Sequence, residues 1–169
     1  MIDCVHPDPH HNEFQRAQWF KTVIRDKKNP YIIAGDFNAL SPKDNYNKNK
    51  LVKQYENNFK LKEKYKAKYI INNIIKGKAV NILLESDLVD TYRKMNKELD
   101  YSYHTDISGD MFARLDYIFC SPDIRVLKSG IIKSKLAEKA SDHYPIYAIL
   151  DVQQTQLLQG REINFKRQT

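Results

Sequence analysis

The stretch Asn29-Pro30-Tyr31-Ile32-Ile33-Ala34-Gly35-Asp36-Phe37-Asn38 constrains this chain more than any other. A short apolar run, bounded by Asn-Pro before and Gly after, predicts a buried strand from Tyr31 to Phe37. That strand delivers an acid and an amide at its end. Burying a carboxylate costs several kcal/mol unless a cation, hydrogen bonds or solvent compensate it. The strand must therefore finish at a rim where such partners wait. In an extended chain, residues i and i+2 face the same way, so Asp36 and Asn38 can offer two oxygens to one point.

The surrounding pattern is that of an α/β layer. Residues 2–6, IDCVH, read as a short strand, and Pro7 and Pro9 end it. A helix is predicted from Asn12, which can cap it, with Phe14, Ala17, Trp19, Phe20, Val23 and Ile24 near helical spacing. After Ser41-Pro42, Leu51, Tyr55, Phe59, Ala67, Ile70, Ile71, Ile74 and Ile75 predict two or three amphipathic helices, which Gly77 interrupts. A further helix is expected over 80–86. Residues 91–113 look polar and irregular, with a turn near Gly109. Strands are expected over 115–120, 126–133 and 144–152, and residues 153–169 read as a polar tail.

The 169 residues suit one domain, 1–152, carrying a lysine-rich helical insert at about 43–80. The formal net charge of +7 is local: eleven lysines face three acids between Lys43 and Lys78, a balance of +8, which leaves −1 for the rest. No window approaches a membrane span, and the first twenty residues carry no apolar signal-peptide core. Cys4 and Cys120 read as small buried apolar side chains, with a reducing, cytoplasmic compartment as the default.

Chemistry-bearing residues cluster at strand edges. GDFN holds Asp36 and Asn38, RLDYIF holds Arg114 and Asp116, SDHYP holds Asp142 and His143, and His6 ends the first strand. Each has an ordinary reading when taken alone. Asp36 and Asn38 can form a turn, Asp116 can pair with Arg114, Asp142 can cap a helix, and His6 can be a surface histidine. Taken together, the oxygens of Asp36, Asn38 and Asp142 suit a hard cation such as Mg²⁺. His143 can serve as a general base or hold a phosphoryl oxygen, with a carboxylate such as Asp116 fixing its tautomer. The chemistry suggested is metal-assisted attack of water on a phosphorus ester.

GDFN, RLDYIF and SDHYPIY, in this order and each joined to a strand, resemble the endonuclease/exonuclease/phosphatase superfamily from about residue 2 to 151; LVDTYR at 88–93 adds to the likeness. The resemblance implies an α/β, DNase I-like β-sandwich flanked by helices and a divalent-metal-dependent phosphoric ester hydrolase using Mg²⁺ or Mn²⁺. It assigns Asp36 and Asn38 to metal, nucleophilic water and phosphate, Asp142 to metal, His143 to catalysis and Asp116 to orienting His143. His6 is placed near the phosphate, and Arg114 is structural or phosphate-binding. The likeness covers the carboxy-terminal half of that domain, whose earlier half carries a further Asn and a metal-binding Glu. Glu13, on a helix, is a poor substitute. Two expectations follow: weak or absent hydrolysis by these residues alone, and an exposed apolar face where a partner sheet would pack.

The family spans nucleic acids, phosphorylated small molecules and lipids, so the motifs leave the substrate open. The insert's lysines, interleaved with Tyr46, Tyr55, Tyr65 and Tyr69, suit nucleic acid or anionic lipid as well as a solvated helix face. The competing class is a non-catalytic remnant or a basic binding module.

Overall fold

In the computed structural model, which describes residues 1–8, 10–58, 68, 71–104 and 112–152 (side chains of 55, 57 and 58 excepted), Gly35 sets how closely the first two strands approach. Strand β1 (Ile2–Val5) runs parallel to β2 (Ile32–Asp36), with Val5 opposite Gly35. Gly35 has φ +144°, and a Cβ there would lie 1.9 Å from the Val5 carbonyl oxygen. Only glycine fits.

Helix α1 (Glu13–Val23) crosses between these strands. Asn12 caps it reciprocally: its Oδ1 accepts from the Gln15 N–H at 3.0 Å, and Gln15 Oε1 accepts from the Asn12 N–H at 2.9 Å. The buried face of α1, led by Phe20, joins Ile33, Phe37, Tyr117 and Phe119 in the main core. Helix α2 (Lys48–Asn58) belongs to the insert, and α3 (Lys78–Glu85) completes the layer over the sheet with Ala79, Val80 and Leu83. Glu13 is structural: its carboxylate accepts from the Ala79 N–H at 2.9 Å and pairs with buried Arg16.

The insert leaves and returns at one point. Gly77, at φ +59°, lies so close to Pro42 and the Leu40 carbonyl that a Cβ would meet them at 2.5 and 2.8 Å. An insertion with adjoining ends perturbs its host little. Its apolar side, with Leu51 and Ile71, packs on Leu40 and Ala113 as a second cluster.

The main sheet has the order β1-β2-β4-β3, with β3 (Val89–Asp90) and β4 (Asp116–Cys120) antiparallel to each other and β4 antiparallel to β2. A second sheet pairs β5 (Arg125–Ile131) with β6 (Ile146–Asp151). Its Ile131 and Ile146 meet Ile118 of β4 around an interior cavity of about 10 Å³, so the two sheets stack as a sandwich. Leu127, Ile132 and Ile149, on or beside this second sheet, are exposed.

Three features differ from expectation. Residues 91–113 are not simply irregular: Asp90 caps a short helix α4 (Thr91–Met95), and Tyr103 forms backbone bridges to Ala113 and His143. Ser134 caps a further helix, α5 (Lys135–Ala140), whose side chains are largely solvated, so it left no apolar period. Cys4 is exposed; Cys120 is buried, its thiol pushed up to about 11 by burial, and both are free. Gly109 and the tail from 153 lie outside the described residues. Among the described residues no helix is long and apolar enough to cross a membrane.

Candidate active site

Register places Asp36 directly opposite Asp116 across β2 and β4. Like charges facing each other on neighbouring strands repel, so the pair needs compensation. His143 provides it from the loop before β6. Its Nδ1 lies 2.7 Å from Asp116 Oδ2, and its Nε2 lies 4.0 Å from Asp36 Oδ2. His6, just after β1, brings Nε2 to 3.6 Å from the same Asp36 oxygen while remaining 70% exposed.

The GDFN turn fixes Asp36. Asn38 adopts φ +48°, a left-handed conformation that asparagine tolerates. Its N–H donates to Asp36 Oδ1 at 2.8 Å, and its side-chain amide donates to the Pro7 carbonyl at 3.0 Å. The turn expected of these residues forms, and the left-handed Asn38 departs from the extended geometry that would set its side chain beside that of Asp36. Asp36 Oδ1 is tied into the turn, and Oδ2 faces the histidines.

The titration of these groups is mutually tuned. Burial raises the Asp36 pKa and the Asp116 charge adds to this, while the Asn38 N–H and both histidines oppose it. Burial pulls the His143 pKa down, but the hydrogen bond and charge of Asp116, with Asp36 and Asp142, raise it overall. Asp36, Asp116 and His143 can each bring a ligand atom within 4.8 Å of the others, a grouping able to hold a metal ion. Asp116 and His143 Nδ1 already satisfy each other, however. Asp36 Oδ2, which faces the two histidines rather than the turn, is the carboxylate oxygen of this group left open. Asp142 is exposed beside this group, with its carboxylate accepting from the Ser141 hydroxyl at 3.4 Å.

Arg114 does not face a phosphate. It is 1% exposed, and its guanidinium spans both oxygens of Asp44 and both of Asp90 at 2.7 to 3.0 Å. With every direction of its fork in use, it serves the fold. Tyr46 is equally committed: its hydroxyl accepts from the Arg114 N–H at 2.8 Å, so it is no free surface platform.

The segment 101–104 is the part of the site that the motifs do not show. The Ser102 hydroxyl accepts from the N–H groups of Leu115 and Asp116 at 3.1 Å each, and the Ser102 carbonyl accepts from the Tyr144 N–H. The His104 N–H donates to the Asp142 carbonyl at 2.9 Å. This splint locks the segment carrying Asp116 to the one carrying His143. The Tyr103 ring packs 4.9 Å from the His143 ring. Burial, with the charges of Asp142 and Asp36, raises the Tyr103 pKa, which keeps its phenol protonated. Ser102 and His104 are buried and Tyr101 and Tyr103 half-buried, an alternation that these polar residues do not display as an apolar pattern in the sequence.

Comparison with known proteins bears on this geometry. The chain is similar in structure to an AP endonuclease from Archaeoglobus fulgidus (TM-score 0.60, 23% identity, covering 89% of this chain and 61% of the other). It also resembles a 3′ phosphatase from Neisseria bound to product DNA hairpin (TM-score 0.64, 20% identity, 89% and 60% covered). A third likeness is to an endonuclease/exonuclease/phosphatase family protein from Bacteroides thetaiotaomicron (TM-score 0.51, 22% identity, 88% and 48% covered). The chain thus spans 61% of the first structure's length and less of the others, and at these identities the likeness shows the shared fold. No curated protein matches the sequence. The family model described as Endonuclease/Exonuclease/phosphatase family matches residues 7–143. With that match spanning most of its length and all three motifs falling at one rim of the sandwich, the chain belongs to the endonuclease/exonuclease/phosphatase family.

Proposed function

We propose that this protein hydrolyses phosphate esters of nucleic acid by attack of water at phosphorus. One observation carries the reading: His143 Nδ1 lies 2.7 Å from Asp116 Oδ2, with Nε2 4.0 Å from Asp36 Oδ2. Asp116 accepts from Nδ1–H and so leaves the Nε2 lone pair free on the open side. A gap of 4.0 Å is too wide for a direct hydrogen bond and suits a water touching both groups. In this reading Nε2 takes the proton from that water as its oxygen bonds to phosphorus. The P–O bond to the leaving group then breaks, the leaving oxygen takes a proton from solvent, and the His143 imidazolium returns its proton to solvent. His6 and the Asn38 side chain border the phosphoryl group.

Asp36 and Asn38, with Asp142 alongside, would hold a divalent cation, Mg²⁺ or Mn²⁺, which when bound supplies Lewis-acid stabilisation of phosphoryl charge. The named activities of two structures sharing the fold, an AP endonuclease and a DNA-bound 3′ phosphatase, support nucleic acid as the substrate. The insert's excess of lysines supports it independently. Because the chain spans 61% of the first of these structures, we take turnover by residues 1–169 alone to be slow. The test is a single-turnover assay with protein in excess, with Mg²⁺ or with chelator, against an abasic duplex, a 3′-phosphorylated duplex and an inositol phosphate. Cation-dependent product from a DNA substrate is expected. Release from the inositol phosphate alone would reassign the substrate, and no release from any would remove the reaction.

A further inference from the structure

A pocket of about 280 Å³ lies between insert helix α2 and the segment around Tyr101, and no motif accounts for it. Its walls are mainly apolar, formed by Tyr46, Leu51, Leu99, Tyr101 and Phe112, with one cation, Lys50, and one anion, Asp100, also in the lining. Gln54 is 7% exposed and brings an amide to the same lining. An apolar cavity of about 150 Å³ accepts benzene, so this one has room for a two-ring base. Small-molecule sites are typically such apolar hollows with a few placed polar groups.

The walls are stiff. The Tyr101 ring carries Lys133 Nζ 3.4 Å from its centroid, and Phe112 leans on it at 4.4 Å. Lys133 is also paired with Asp100. The pocket adjoins the site along a single backbone piece. Tyr103 touches His143, and Tyr101 stands two residues back along the chain, a span of at most ~7 Å. The insert that forms the other wall has a local balance of +8. Aromatic walls and an amide edge, on the segment that carries Tyr103 against His143, together fit a nucleobase attached to a phosphate chain.

We propose that this pocket receives a nucleobase flanking the scissile phosphate, so that the insert acts as a substrate-selecting wall. The inference rests on the phosphate-ester reading of the site, but its test needs no catalysis. Fluorescence anisotropy in chelator would compare a short single-stranded oligodeoxynucleotide with a baseless deoxyribose-phosphate oligomer of the same length. Loss of one base–aromatic stack weakens binding roughly 5- to 150-fold. The base-bearing oligomer should therefore bind about tenfold tighter or better. Phe112→Ala should erase that margin while leaving the baseless oligomer unchanged. Leu99→Trp fills the pocket from a position 39% exposed, where the fold tolerates change, and should do the same. Equal binding of the two oligomers, or variants that leave the margin intact, overturns the proposal. Hydrolysis that persists in DNA alongside equal binding sinks the pocket and leaves the reaction standing.

Discussion

Arg114 and Asp116 stand two residues apart in RLDYIF, yet each anchors a different kind of charge cluster. Around Arg114 the cluster is closed. Asp44 and Asp90 both chelate the guanidinium, Arg93 Nε adds a 2.6 Å contact to Asp44, and the rings of Tyr117 and Tyr92 lie 4.4 and 5.1 Å away. Two cations balance two anions, and the most exposed member, Arg93, is only 17% accessible. Around Asp116 the cluster is open. Two carboxylates face each other across strands, and a 25% exposed imidazole and a 70% exposed one sit against them. The closed cluster spends all its hydrogen-bonding capacity on the fold. The open one keeps Asp36 Oδ2 and His143 Nε2 for something else.

The largest expected difference between the two clusters is in stability. Asp44→Ala strands a buried guanidinium, and breaking such a pair costs ~3–5 kcal/mol. Urea denaturation should show that loss, together with loosening of the insert, which Asp44 ties to α4. Asp36→Asn removes one of two facing negative charges, so it should change stability by less than about 0.5 kcal/mol or raise it. If both variants cost the same, the distinction between a structural and a functional cluster fails.

Next comes the titration of His143. Its folded pKa is raised above the usual 6.5, mainly through Asp116 acting against burial. A raised imidazole pKa contributes stability that is fully present below 6.5 and is lost as pH rises through the folded value. In chelator, the stability gap between the protein and Asp116→Asn should therefore narrow as pH climbs across that window. The His143 ring resonance should titrate lower in the variant. An unchanged titration would mean that Asp116 does not govern the ring.

Smaller effects follow at the edges of the site. Tyr103→Ala removes the ring that packs on His143 and should slow turnover about tenfold, since small misplacements of reacting groups are costly. Tyr103→Phe keeps the ring and should restore most of the rate; a hydroxyl role would show as failure of that rescue. His6→Ala should be the mildest, altering rate a few-fold and stability hardly at all, as exposed ion pairs contribute ~0–1 kcal/mol.

Legibility in the sequence followed the same divide. Short chemical motifs at strand ends were readable because an acid after a buried run demands an explanation. The strand carrying Ile32 to Asp36, the Asn12 cap and the α/β layer followed from period and turn residues, and the sandwich from the family resemblance of the three motifs. The role of Arg114 was not readable, because its partners Asp44 and Asp90 are 70 and 24 residues away and only tertiary packing selects them. The 101–104 splint was hidden for a similar reason. It pairs through backbone groups with two distant segments, and the Ser102 hydroxyl looks like any surface serine until Asp116 N–H is seen pointing at it.

The most direct test of the account is the single-turnover rate of DNA phosphate-ester cleavage by the protein and by His143→Ala, with Mg²⁺ and with protein in excess. A positioned general base contributes about 10²–10⁴-fold, and the account predicts a loss in that range with the thermal transition unchanged. Equal rates in the two proteins would contradict it, and the cluster at Asp36, Asp116 and His143 would then have no part in the chemistry.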